Sequence, residues 1–125
     1  MTLTILDNVI SDRGSRYAVS GGPVAGKAGA VAAIAELCRE KRFAKATHNS
    51  WAVLLEEGGQ REGIRNDDGE TGAGAVILRM LEREGLVNHV VIVTRWYGGV
   101  KLGGDRFRHV TGAVRAYLAR LRDAG

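Results

Sequence analysis

Hydrophobic positions along the chain follow two periodicities that alternate from end to end. Leu3 to Ile10 and Ser15 to Ser20 have the short, alternating character of strands, on either side of a turn at Ser11-Asp-Arg-Gly14. After Gly21-Gly-Pro23, the stretch from Lys27 to Lys41 sets Val31, Ile34, Ala35 and Cys38 on one helical face. It ends in Arg39, Lys41 and Arg42, which suit the negative end of a helix dipole. Its alanines predict close packing onto a sheet. Ser50 to Glu57 and Arg61 to Asn66 read as strands again, joined by Gly58-Gly59, which accepts the positive φ values of a tight hairpin turn. Val76, Ile77, Met80 and Leu81 mark a second helix, closed by Gly85 in a left-handed C-cap. His89 to Thr94 is apolar and β-branched at most positions, as in a strand buried on both faces. Phe107, Val110, Val114, Tyr117, Leu118 and Leu121 then recur at helical spacing.

The order β-β-α-β-β-α-β-α predicts an α+β fold. It is a two-layer sandwich with a mostly antiparallel or mixed sheet on one side and helices on the other. At 125 residues, the chain is long enough for one core and is expected to be a single domain, 1–125. There is no internal repeat, linker or low-complexity tract, and one proline interrupts an aliphatic-rich sequence, which excludes a disordered chain.

The net charge of +4 and a pI near 9.6 favour acidic partners. Cys38 is the single cysteine, so there is no disulfide framework, and with His48, His89 and His109 it offers no zinc spacing. The first residues, Met1 to Asp7, lack a basic signal segment, and no apolar run approaches membrane-spanning length. The expectation is a soluble cytoplasmic protein with no membrane partner and no cofactor.

Four constellations carry candidate chemistry. In "RWYGGVKLGGDRF", Arg95 to Phe107, two glycine pairs lie among Arg95, Lys101 and Arg106 in a segment read as a strand-to-helix loop. Asp105 suits the N-cap of the last helix, whose first N–H groups would then face the loop, the general recipe for an anion site. Gly98, Gly99 and Gly103 would let the backbone approach a ligand, while Trp96 and Tyr97 could stack on bases or fill a partner's pocket. In Asp67-Asp68-Gly69-Glu70, ahead of Thr71-Gly-Ala-Gly74, three carboxylates could hold magnesium, pair with basic groups elsewhere, or form a solvated turn favouring a helix start. Neither a phosphate loop nor a calcium loop is matched.

In Ala46-Thr-His-Asn-Ser-Trp51, His48 could act as a general base, bind phosphate, or be a buried hydrogen-bonded histidine at a strand start. No serine or cysteine stands in a nucleophile motif. On the last helix, Arg108, Arg115 and Arg122 recur every seven residues, a row spanning about 21 Å that could track phosphates or remain solvated.

The motifs "ATHNSWA", "DDGETGAG" and "VVIVTRWYGGVKLGGDRFRHV", in this order and spacing, resemble the IMPACT/YigZ family from Ser11 to Leu118. That resemblance implies a fold like the second domain of ribosomal protein S-five. "WYGG" and "LGGDRFRH" look more like the eukaryotic branch, whose pattern has a proline where Gly104 stands. The bacterial branch typically has a proline after "DDGE", where this chain has Thr71. Eukaryotic members are translational regulators that compete for an activator of the amino-acid-starvation kinase and carry an additional RWD domain, whereas bacterial members carry a ferredoxin-like one. The family motif falls here on His48 and Asn49; Asp67, Asp68, Gly69 and Glu70; and Arg95, Gly98, Gly99, Lys101, Leu102 and Gly103.

The expected function is a non-enzymatic binding module in translation or its stress control, meeting RNA, the ribosome or an acidic protein through the basic loop and the last helix. The candidate contact residues are Arg95, Trp96, Tyr97, Gly98, Gly99, Lys101, Gly103, Arg106, Arg108 and Arg115. The alternative is a magnesium-dependent enzyme on a phosphorylated or nucleotide substrate, with Asp67, Asp68 and Glu70 holding the metal opposite Arg95 and Lys101. A third arrangement, compatible with the first, makes Asp68 or Glu70 the internal partner of Arg95 or Lys101.

Overall fold

The computed structural model describes residues 3–124; Met1, Thr2 and Gly125 lie outside the described residues, and with them the start of the N-terminal segment read above. The elements run β1 (Thr4–Asp12), β2 (Ser15–Pro23), α1 (Gly26–Leu37), the one-turn α2 (Lys41–Ala44), β3 (His48–Glu57), β4 (Gln60–Asn66), α3 (Ala73–Glu84), β5 (His89–Trp96) and α4 (Asp105–Ala124). The five strands form one sheet in the order β1-β2-β5-β3-β4, and every neighbouring pair is antiparallel. Of the two arrangements left open by the sequence, the sheet is thus the antiparallel one.

Local sequence explains the turns. Arg13 and Gly14 both take positive φ, as do Gly58 and Gly59, the geometry that matches a two-residue hairpin turn to strand twist. Gly85 closes α3 in the left-handed region, as its position predicts.

Central strand β5 places alternate side chains on opposite faces of the sheet. Val91 and Val93 join Tyr17, Val19, Ala52 and Leu54 under the amphipathic helices α3 and α4, whose Ile77, Leu81, Val110, Val114 and Tyr117 complete the main core. On the reverse face, Val90 and Ile92 join Ala18, Trp51 and Val53 beneath α1 and α2. The expected packing of helices on one side describes α3 and α4; α1 and α2 add a smaller layer behind.

The α1 helix differs from the sequence reading. Its buried residues are Ala30, Ala33 and Leu37, while Val31 is half exposed and Ala35 faces solvent. Small alanine side chains let the helix axis approach the sheet, so closeness of backbone outweighs the size of the apolar residue in choosing the face. The helix also ends at Leu37, through 3₁₀-type bonds from Arg39 and Glu40 to the carbonyls of Glu36 and Leu37. Phe43 of α2 fills the remaining gap, fully buried.

Candidate functional site

The end of β5 is where the sequence motifs meet. Arg95 belongs to the strand and not, as its glycine-rich surroundings suggest, to the loop. Its register partners are Tyr17 on β2 and His48 on β3, so the three side chains form a row across the α3/α4 face. The guanidinium is 5% exposed and lies 5.7 Å from the Tyr17 ring centre and 5.6 Å from that of Tyr97.

Glu70 descends onto this row from the turn before α3. Its carboxylate accepts from Arg95 Nη1 at 2.9 and 3.2 Å, with Arg106 Nη1 at 3.4 Å and His48 Nε2 at 3.7 Å. Arg95 Nη2 donates to the buried Ser15 Oγ at 3.3 Å. A carboxylate this deeply buried is costly unless paired and hydrogen-bonded, and Arg95 supplies both. The arrangement realised is thus the internal pairing of Glu70 with Arg95, with Lys101 outside it.

The other acids of the turn have separate duties. Asp67 accepts from the backbone N–H of Gly72 (2.9 Å) and Gly74 (2.8 Å), satisfying the free donors at the start of α3. Those bonds, the Gly72 one first, hold its carboxyl below the usual carboxylate range. A Cβ on Gly74 would sit 2.9 Å from Asp67 Oδ1, so this close approach requires glycine. Asp68, at φ +48°, receives the Asn49 N–H at 2.7 Å. Gly69, at φ +87°, then turns the chain inward to Glu70. The three carboxylates diverge, and among the described residues no three acidic, histidine or cysteine side chains form a metal-holding group. The three acids that the alternative reading assigned to magnesium, Asp67, Asp68 and Glu70, each meet a different partner: backbone N–H groups of α3, the Asn49 N–H, and Arg95.

"ATHNSW" is a fastening segment. Thr47 Oγ1 accepts the Tyr97 N–H (2.9 Å), and Ser50 Oγ donates to the Asp67 carbonyl (2.7 Å). Buried Asn49 accepts from Thr94 Oγ1 (2.7 Å) and donates to the Phe43 carbonyl (3.0 Å), which locks β3, β5 and α2 together. His48 Nδ1 donates to the Asp68 carbonyl at 2.8 Å, and Nε2 is turned toward Glu70 at 3.7 Å.

The loop after β5 contrasts with all of this. Trp96 leaves it for the reverse face, donating from Nε1 to the Arg42 carbonyl (2.9 Å) beside Phe43, so its ring lies outside the groove that Tyr97 lines. Gly98 packs directly on the β1–β2 turn: a Cβ there would be 2.0 Å from the Gly14 carbonyl carbon. Beyond it, Tyr97, Gly99, Val100, Lys101, Gly103 and Gly104 are exposed. Asp105 is the first residue of α4, with its carboxylate turned to Arg13 at 2.6 Å. The N–H groups of Asp105, Arg106 and Phe107 donate to the carbonyls of Leu102, Gly103 and Gly104. The expected cap at Asp105 and the open N–H cluster at the helix start are therefore replaced by a 3₁₀-type first turn that consumes those donors.

Between this loop, β3 and the start of α4 runs a groove of about 540 Å³. Tyr97, Leu102 and Phe107 give it apolar walls; Glu70, Arg95, Lys101 and Arg106 give it charge, and His48 adds a polar ring. Three cations face one carboxylate, and that carboxylate is already paired with Arg95. Of the arginine row on α4, Arg108 lies 3.6 Å from Asp105 and Arg122 2.8 Å from Glu84, while Arg115 is exposed. Ser15, Thr47 and Phe107 complete the site without having been read as site residues. Phe107 was legible only as part of the apolar stripe, and Ser15 and Thr47 act through contacts between distant segments.

A model of the Impact N-terminal domain family matches residues 13–118. The chain belongs to this family. It is 36% identical over 111 residues to Protein IMPACT of Mus musculus, covering 87% of this chain and 35% of that protein. It is 40% identical over 85 residues to Protein IMPACT of Danio rerio, covering 66% and 27% respectively. The chain thus spans about a third of the length of the curated relatives it matches. Among solved structures it is similar to the two-domain translational regulator Yih1, with 32% identity and a TM-score of 0.62 over 94% of this chain and 46% of that one. A second structure, described as a hypothetical protein, aligns with a TM-score of 0.74 at 22% identity over 95% of this chain and 61% of its own, which supports the fold.

Proposed function

We propose that this domain is a non-enzymatic binding module acting in translation or its stress control, and that the groove beside β5 meets RNA, as single strands or on the ribosome. The observation that carries the reading is the charge surplus of the groove. Its one carboxylate is occupied internally, while Lys101 projects at the lip and Arg106 has most of its N–H groups left for a partner. Kinship with a protein described as a translational regulator supports the setting. An acidic protein surface would use the same cations.

Fluorescence anisotropy of a labelled single-stranded RNA, titrated across a salt series, separates these partners. Phosphate contacts release counterions, so RNA affinity should fall steeply with salt and vanish in Lys101→Glu. A flat salt response, or unchanged affinity in that variant, would remove RNA as the partner and leave the acidic protein.

A further inference from the structure

We infer that the groove takes one nucleoside 5′-phosphate unit, free or as an exposed nucleotide of an RNA strand, with the base on Tyr97 and the phosphate at Lys101 and Arg106. This rests on the RNA reading and narrows it to a single unit of ligand. Size is the first argument: about 540 Å³ lies within the range of about 300–1,000 Å³ typical of small-ligand pockets.

The second argument is the Tyr97 ring. It is 46% exposed, yet its backbone is anchored by the bond to Thr47, and the Arg95 guanidinium lies 5.6 Å from its centre. Phe107, with the Arg106 guanidinium 4.5 Å from its ring centre, lines the same groove. An aromatic ring held in place with much of its surface open is a stacking platform, and every base has a π-face to lay on it. A carboxylate side chain of an acidic protein would use the cations and leave these rings unused.

The third argument is empty space. A Cβ on Gly103 or Gly104 would meet nothing within 4 Å, and Gly104 has no positive φ that demands glycine. The fold leaves the loop backbone bare where it lines the groove, which lets a ligand approach closely.

The test is calorimetric titration of the whole chain with adenosine 5′-monophosphate, adenosine, inorganic phosphate and a single-stranded oligoadenylate. The mononucleotide should bind saturably and more tightly than either adenosine or phosphate. Tyr97→Ala should weaken it at least about fivefold, the lower end of one base stack. Gly104→Leu should block it in a protein that still unfolds cooperatively, since the added Cβ enters open space. Mononucleotide binding no tighter than phosphate, or indifferent to Tyr97→Ala, would overturn the inference. If the oligomer then still binds in a Lys101-dependent way, the RNA reading stands without the base contact; if the oligomer fails at low salt, both fall. Displacement of bound mononucleotide by polyglutamate at equal affinity would also overturn it, in favour of an acidic peptide.

Discussion

The acidic turn Asn66–Gly74 and the basic loop Tyr97–Gly104 lie on the same groove and are built in opposite ways. In the turn, Asp67 caps α3, Asp68 fastens β3 and Glu70 neutralises Arg95, so each carboxylate is bonded within the domain. In the loop, Gly98 packs against Gly14, Leu102 is buried, and the remaining side chains project outward. Residue types that suggest chemistry are used as structure in the first region and left for a partner in the second. The difference lies in the supply of donors: the start of α3, the Asn49 N–H and a buried guanidinium all need acceptors, and the turn provides them. The loop answers no such demand.

This contrast predicts that the two regions fail differently. The largest effect should come from Glu70→Ala, which strands Arg95 as an unpaired buried cation at a cost of about 3–5 kcal/mol. Urea unfolding would measure it, and a loss below about 1 kcal/mol would show the pair to be dispensable. Gly98→Ala should follow at about 1–3 kcal/mol, because its Cβ meets backbone that cannot yield as a side chain can. Asp67→Ala should cost about 1–2 kcal/mol through loss of the α3 cap.

Acid titration sharpens the same picture. Asp67 is held low by backbone donors, and Asp12 is lowered to about 2 by its bonds to Arg13 first and His109 next. Both bind fewer protons folded than unfolded, so their stabilisation is present above pH 4 and is lost as pH falls toward 2. Burial acts the other way on Tyr17 and Tyr117, raising each to about 12, so stability should decline as pH rises from about 10 to 12. Unfolding midpoints that stay flat across the acid range would contradict this assignment for Asp12 and Asp67.

The smallest stability effects belong to the loop and to one core hydroxyl. Lys101→Glu should leave unfolding within about 0.5 kcal/mol of wild type while abolishing RNA binding. Tyr17 Oη is buried with no hydrogen-bond partner among the described residues, so Tyr17→Phe should be neutral or stabilising by up to about 1 kcal/mol. A larger loss in Tyr17→Phe would mean that the hydroxyl has a partner in solution.

Strand order, the three longer helices, both glycine hairpin turns and the Gly85 cap were legible in the sequence, because they follow from local periodicity and backbone freedom; the one-turn α2 was not, being too short to show a period. The face of α1 was not, since alanine's advantage appears only when a sheet lies beneath it. The Glu70–Arg95 pair was legible as one of several pairings and no further, since the choice between Asp68 and Glu70 depends on the positive-φ turn at Asp68-Gly69 that swings Glu70 inward. Trp96 was grouped with Tyr97 for a related reason: as the last residue of β5 it alternates to the reverse face, and placing Arg95 in a loop hid that alternation.

On the proposed reading, binding belongs to the groove and not to a general positive field. One titration of labelled RNA at low salt with wild type, Lys101→Glu and Arg115→Glu tests it directly. Both substitutions reverse one exposed charge, and Arg115 lies on α4 outside the groove lining. Loss of binding in Lys101→Glu with affinity retained in Arg115→Glu is the predicted result. Equal losses in both would contradict the account and assign binding to the overall charge.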